Sequence, residues 1–106
     1  MQPVRSKQLI APRKPNEPKF PLGRVVATPE ALDKLAESSE NAAKFLRQHQ
    51  LGCWGEICSD DAEANEQALE DGDRILSVYH TAKGQKIYVI TEADRSSTCI
   101  LLPEEY

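Results

Sequence analysis

Three β-prone apolar segments lie close together in the last third of the chain, and they constrain the fold most. They are Arg74–Thr81, Lys86–Thr91 and Cys99–Leu102, with only short polar stretches between them. The first connection, Ala82–Gln85, contains Gly84 and has the length and composition of a hairpin turn. Strands joined by connections this short must run antiparallel. The sequence therefore predicts a three-stranded antiparallel meander.

A short strand and the first of three helices are predicted from the residues that follow the N-terminal region. The strand is Arg24–Ala27. Thr28 suits the N-cap of the first helix, and Pro29 suits its first helical position. The helical spacing of apolar residues predicts that its buried face consists of Leu32, Leu35 and Ala36.

Two more helices are predicted before the meander. Ser39 or Asn41 can cap the second, whose predicted buried face is Ala42, Phe45, Leu46 and His49. The third spans Ser59–Leu69, with Ser59 as its N-cap and Gly72 beyond its end. A strand, three helices and a meander predict an α+β fold with the helices on one face of the sheet.

The chain divides into a tail and a body. Five of its prolines fall within residues 1–21, which we predict to be a flexible basic tail, and residues 22–106 form a single α+β domain. Met1–Gly23 holds five basic residues and one acidic residue, a net charge of +4, against −8 for the remainder. One hypothesis is that the tail binds nucleic acid through Arg5, Lys7, Arg13 and Lys14.

Composition excludes several protein classes. Three cysteines without a leading apolar segment argue against a secreted disulfide scaffold. No apolar run approaches the roughly 18 residues of a membrane span. We therefore expect a soluble cytoplasmic protein with reduced thiols, and we predict no cofactor and no membrane contact.

The loop between the last two predicted strands carries the best candidate site. It places Glu92, Asp94 and Arg95 beside Ser96 and Ser97. Carboxylates near hydroxyls suit acid–base chemistry, and a guanidinium suits an anion. The structural alternative is a self-satisfied turn in which Asp94 accepts backbone amides and Arg95 pairs with Glu92.

Other candidate residues lie outside this loop. The turn Gly52–Cys58 holds Trp54, which either plugs the core or, with Glu56, contributes to a binding surface. His80 is a weak catalytic candidate, and a further hypothesis is that His80 or His49 activates a cysteine nucleophile, which would be Cys53, Cys58 or Cys99. A zinc site would use His49, Cys53 and Cys58 with Cys99 or His80 as the fourth ligand. That spacing does not match zinc sites, so we predict no metal.

The third helix is strongly acidic. Its carboxylates either solubilise the helix or form a surface for a basic partner. The acidic residues of this region are Asp60, Asp61, Glu63, Glu66, Glu70, Asp71 and Asp73.

Four segments of the chain resemble a family of small bacterial proteins found on plasmids and other mobile elements. The segments are Phe20–Pro29, Trp54–Glu56, Ile90–Ser96 and Ile100–Tyr106. Members are labelled plasmid-related, and some are labelled as a type I restriction enzyme modification subunit. The second label does not fit, because a methyltransferase needs a much larger domain with a glycine-containing cofactor loop. The resemblance supplies no catalytic residues.

These observations predict an accessory protein of a mobile element that acts by binding a protein partner. The predicted binding residues are Trp54, Glu56, Glu92, Asp94, Arg95 and Ser96. One alternative is a small hydrolase-like enzyme centred on Glu92, Asp94 and Arg95, and another is nucleic-acid binding through the tail. The exposed edge strand of the meander also invites pairing with a second copy, as a homodimer.

Overall fold

The computed structural model describes residues 17–106, and its secondary structure follows the predicted order. In chain order the elements are β1 (Arg24–Ala27), α1 (Pro29–Glu37), α2 (Ala42–Gln50), α3 (Ser59–Asp71), β2 (Ile75–His80), β3 (Lys86–Thr91) and β4 (Ser97–Leu101). A 3-10 turn, Pro103–Glu105, follows the last strand. The predicted α+β class is confirmed.

The four strands form one mixed sheet in the order β1-β4-β3-β2. β2 and β4 both run antiparallel to β3, with Val89 opposite Ser77 on one side and opposite Ile100 on the other. The predicted antiparallel meander is therefore confirmed. β1 joins it in parallel with β4, with Val26 opposite Cys99. A parallel neighbour requires a crossover connection, and the helices lie within that connection.

The end of the predicted tail contacts the body of the protein. The Lys19 backbone N–H donates to the Gln50 carbonyl at 2.8 Å, and the Gln50 side chain donates to the Phe20 carbonyl at 2.9 Å. The Phe20 side chain is buried. The rest of the predicted tail, including the basic residues proposed to bind nucleic acid, lies outside the described residues.

The predicted N-cap is confirmed for two of the three helices. The Thr28 hydroxyl accepts from the Ala31 N–H, and the Asn41 side chain accepts from the Ala43 N–H, so both act as N-caps. The prediction for Ser59 is wrong. Cys58 occupies the N-cap position of α3 without a side-chain hydrogen bond, and Ser59 is the first helical residue.

The helices pack on one face of the sheet, as predicted. α1 and α2 contribute Ala31, Leu35 and Phe45 to a cluster with alternate strand residues Tyr79, Ile87, Val89 and Ile100. A second cluster joins Phe20, Trp54, Ala68 and Ile75. The predicted face of α1 is partly wrong, because Leu32 is 50% exposed and Ala36 is exposed as well. The helix turns Ala31 and Leu35, which are four residues apart, toward the sheet instead.

The chain covers the outer edge of β2 with its own residues. The Val78 N–H donates to the Trp54 carbonyl at 3.0 Å, and the Glu56 N–H donates to the Val78 carbonyl at 2.7 Å. The Asn65 side chain donates to the Leu76 carbonyl and accepts from the Leu76 N–H. Pairing of a second copy along this edge is therefore disfavoured, since the outward backbone groups of Leu76 and Val78 already have partners. The homodimer itself stays a prediction.

Gly55 makes this covering segment sensitive to a single methyl group. A Cβ at Gly55 would lie 1.9 Å from the Val78 carbonyl oxygen, and its φ is +80°. Gly84 has a similar φ of +82° but open space around it. We expect Gly84→Ala to lower the free energy of unfolding by about 1–2 kcal/mol through backbone strain. Gly55→Ala should lower it by about 2–5 kcal/mol, because a steric clash adds to that strain.

Urea denaturation of both variants measures this difference. Equal losses for the two would show that the segment does not need to approach β2 so closely.

Candidate functional site

The predicted site loop is a tight turn between β3 and β4. The Glu92 N–H donates to the Ser97 carbonyl at 3.0 Å, and the Arg95 N–H donates to the Glu92 carbonyl at 2.9 Å. Arg95 has a φ of +61°, in the left-handed region. The turn therefore brings Arg95 back over the loop, toward the end of α3.

The Arg95 side chain binds backbone carbonyls. Its Nη1 donates to the Asp73 carbonyl at 2.6 Å and to the Glu92 and Ala93 carbonyls at 3.1 Å each. Its Nη2 donates to the Ala68 carbonyl at 2.9 Å. The guanidinium thus connects the loop to the last turn of α3. The self-satisfied turn would have required an ion pair between Arg95 and the Glu92 carboxylate. The guanidinium instead contacts the Glu92 backbone oxygen.

The two carboxylates of the loop have separate partners. Glu92 accepts from Arg74 Nη2 at 3.2 Å, and Arg74 Nη1 donates to the Tyr106 hydroxyl at 3.2 Å. Asp94 accepts from the Ser96 N–H at 3.0 Å. Hydrogen bonds from the Ser96 side chain and backbone lower the pKa of Asp94. Asp94 therefore accepts a backbone amide, as the turn interpretation predicts.

The structure does not bring the other candidate residues to this loop. Ile75, at the start of β2, pairs with Thr91 beside the loop, whereas His80 pairs with Lys86 at the far end. At about 3.3 Å per residue, the five steps from Ile75 to His80 span about 16 Å. His80 lies near Glu56 there, with 3.1 Å between Nδ1 and Oε2.

Trp54 fills part of the core, which is the first of the two roles predicted for it, and not part of a binding surface. Its side chain is only 6% exposed, and its ring stacks on Phe20 with 6.3 Å between the ring centroids. The indole N–H donates to the Glu66 carboxylate at 3.0 Å. Trp54 therefore offers little surface to a ligand.

A chain of buried hydrogen bonds runs through the core. The donor and acceptor of each bond can be assigned in turn, starting from the Thr98–Leu22 end. The Thr98 hydroxyl donates to the Leu22 carbonyl at 2.8 Å, so its oxygen accepts from Thr91 at 2.7 Å. Thr91 then accepts from His49 Nε2–H at 2.9 Å. His49 Nδ1 is left to accept from the Ser77 hydroxyl at 2.6 Å. The network therefore places a proton on Nε2 of His49, and in the neutral imidazole Nδ1 is the acceptor.

His49 and Ser77 have the contact of a base and a nucleophile, but both are completely buried. Burial, with a smaller contribution from the charge of Arg95, lowers the pKa of His49 to about 4. A neutral imidazole is thus favoured at neutral pH, and its Nδ1 then accepts from Ser77. Because neither side chain reaches the surface, the pair holds the core together and does not meet a substrate.

Sequence reasoning placed His49 on the buried face of α2, which is confirmed, but it missed the hydroxyl partners. Ser77, Thr91 and Thr98 are all fully buried. The signal was present, because Ser77 alternates with the inward-facing Ile75 and Tyr79 along β2. Polar residues at inward strand positions need partners.

Within residues 17–106, no hydrogen bond joins a cysteine thiol to a histidine ring. Cys53 and Cys58 are exposed, and Cys99 is partly buried. Desolvation, followed by the charges of Glu105 and Glu92, raises the pKa of Cys99 and disfavours its thiolate. Among residues 17–106, no three His, Cys, Asp or Glu side chains converge into a group that could hold a metal ion.

The exposed side of α3 is densely acidic. A shallow depression of about 590 Å³ is lined by Asp60, Glu63, Ala64, Glu66, Gln67 and Glu70. Within the described part of the chain, no α3 carboxylate forms an ion pair with a basic side chain. We refer to the exposed carboxylates Asp60, Asp61, Glu63, Glu66 and Glu70 as the α3 acidic face.

The chain matches no known protein family model, no curated protein and no solved structure. The resemblance to plasmid-related proteins therefore stays a prediction. In the part of the chain that the structure covers, none of the helices has the length and apolar character needed to cross a bilayer.

The shifted pKa of His49 predicts a loss of stability in mild acid. Its pKa of about 4 in the folded protein lies below the ordinary histidine value of 6.5. The unfolded chain therefore binds more protons between these values, and stability falls as the pH falls from 6.5 to 4. The full contribution is about 3 kcal/mol. Urea denaturation at several pH values measures this slope.

His49→Asn should remove that part of the slope while lowering stability at neutral pH. His80→Asn is the control, because His80 lies outside the buried network, and the control should keep the slope. A His49→Asn slope equal to that of the unmodified protein would contradict the assignment.

The carbonyl contacts of Arg95 predict a structural role for this residue. Arg95→Lys should lower the free energy of unfolding by about 2–3 kcal/mol, because one ammonium group cannot replace the forked contacts to α3 and the loop. Asp94→Asn, at an exposed position in the same loop, should cost less. Thermal unfolding followed by circular dichroism compares them, and an Arg95→Lys variant as stable as the original chain would contradict this role.

Proposed function

We propose that this chain is a small non-enzymatic accessory protein that binds a protein partner, and that the α3 acidic face is its contact surface. The observation that supports this most strongly is the lack of counter-charge: within residues 17–106 these carboxylates form no ion pairs. Other acidic side chains of the body do form them, as Glu40 does with Lys44 at 2.8 Å and Glu92 does with Arg74. The α3 acidic face is thus free to attract a partner's cations.

The helix that carries this face is firmly held by its opposite side. Asn65 makes two hydrogen bonds to the Leu76 backbone, and Ala68 is buried with its carbonyl bound to Arg95. On the acidic face itself, Glu66 accepts a hydrogen bond from the Trp54 indole. A preformed surface loses little conformational entropy when a partner binds, so a modest contact area is sufficient.

The charge of the face defines the chemistry of the partner. A basic protein segment, rich in lysine or arginine, complements it and would be steered toward it over a distance of about a Debye length, roughly 8–10 Å. The same face repels the phosphates of nucleic acids.

The alternatives have less support. The hydrolase-like proposal centred on Glu92, Asp94 and Arg95 needs polar groups that are free to act, whereas Arg95 and Asp94 are engaged by the backbone. Nucleic-acid binding through residues 1–16 stays a prediction that salt-dependent binding would test. The cytoplasmic location and the link to mobile elements likewise stay predictions.

A pair of neutral substitutions on the α3 acidic face tests the proposed surface. Glu63→Gln with Glu70→Gln removes two exposed charges and leaves the Glu66 contact to Trp54 in place. Crosslinking in cells of the source organism followed by mass spectrometry identifies the partner, and titration with the purified partner measures its affinity. We expect the double variant to bind at least about tenfold more weakly.

The matched control is Asp33→Asn with Glu104→Gln, which changes the net charge equally at exposed positions outside α3. The control should retain the affinity of the original chain. If both variants bind the partner equally weakly, the loss of affinity reflects net charge and not the α3 acidic face. If the α3 variant binds as tightly as the original chain, this surface is excluded.

A further inference from the structure

The two edges of the sheet differ. At the β2 edge, Leu76 and Val78 have partners for their outward backbone groups. β1 forms the other edge. The Arg24 N–H donates to the carbonyl of Ser96, which directly precedes β4. The Thr28 N–H donates to the carbonyl of Ile100 within β4. By alternation, the backbone groups of Val25 and Ala27 point away from the sheet. Within residues 17–106, nothing pairs with this outer edge.

Two of the exposed apolar side chains belong to this edge strand. Val25 is 44% exposed and Val26 is 41% exposed, and Leu32 on the helix that follows β1 is 50% exposed. The other large apolar side chain exposed in the described part of the chain is Tyr106. Natural sheets usually protect an open edge with charges, proline or a covering segment. β1 has apolar side chains at its two central positions instead.

We propose that β1 pairs with β1 of a second copy of this chain, antiparallel across a two-fold axis, to form a continuous eight-stranded sheet. An open strand edge accepts an extended backbone, because only that geometry matches its donors and acceptors. In the register that uses all outward groups, Val25 pairs with the partner's Ala27, and symmetry repeats that pair. The two pairs make four hydrogen bonds between the chains.

This register also suits the side chains. Val26 lies on the two-fold axis and meets the partner's Val26 as a closely spaced, non-hydrogen-bonded pair, which favours contact between β-branched residues. Val25 and Ala27 carry no charge, so the strands meet without repulsion at the hydrogen-bonded positions. A two-fold axis makes each favourable contact twice, which favours a second copy over an unrelated strand. This inference does not rest on the proposed function.

Sedimentation and light scattering of the full chain over a range of concentrations test the proposal. The expected result is a concentration-dependent dimer, in which hydrogen exchange at Val25 and Ala27 slows as the dimer forms. Val26→Lys places two ammonium groups opposite each other on the axis and should raise the dissociation constant at least about 100-fold. Val25→Pro should have a similar effect, because it removes an N–H that points away from the sheet.

Tyr106→Lys is the control for the loss of an exposed apolar side chain, and it should dimerise like the original chain. Circular dichroism checks that every variant folds. A monomer at all concentrations would overturn the proposal, as would a dimer that survives both β1 substitutions. Slow exchange at Val25 and Ala27 that does not depend on concentration would also overturn it, and would indicate that residues 1–16 occupy the edge.

Discussion

The parallel pairing of β1 with β4 is the constraint on which the rest of the structure depends. Because the two strands run in the same direction, the chain between β1 and the meander must cross the sheet, and the three helices lie within that crossing on one face. The backbones approach closely where the pairing begins: a Cβ at Gly23 would lie 2.4 Å from the Ser96 carbonyl oxygen. The loop that seemed most suited to chemistry is thus also the place where the first strand is anchored.

The core beneath this sheet is held together by directional hydrogen bonds as well as by apolar contact. His49 on α2 joins Ser77 on β2 to Thr91 on β3, and Thr98 on β4 continues the chain to the Leu22 carbonyl before β1. Each donor has one acceptor, so a strand shifted by one residue would leave buried polar groups without partners. This network therefore specifies the register of three strands and the position of a helix together.

Features set by neighbouring residues could be predicted from the sequence, whereas features set by distant contacts could not. Short connections predict the meander, and the N-cap Thr28 is recognisable because its partner is three residues away. The parallel partner of β1 and the outward turn of Leu32 depend on how the whole chain packs. The location of the candidate loop was predictable, but the role of Arg95 was not, since its partners include the backbone carbonyls of Ala68 and Asp73, which any residue supplies.

In the structure Arg95 and Asp94, which suggest catalysis in the sequence, bind backbone groups of the fold, and both proposals concern its surface. The two proposed surfaces lie apart, because α3 packs beside β2 at one edge of the sheet and β1 forms the other. A dimer paired through β1 would leave both α3 acidic faces free, at opposite ends of an eight-stranded sheet. Seven strand spacings separate the two β2 strands in that arrangement, about 34 Å. A partner with two basic segments able to span that distance would gain avidity from the dimer, because the second contact is made at a high effective concentration.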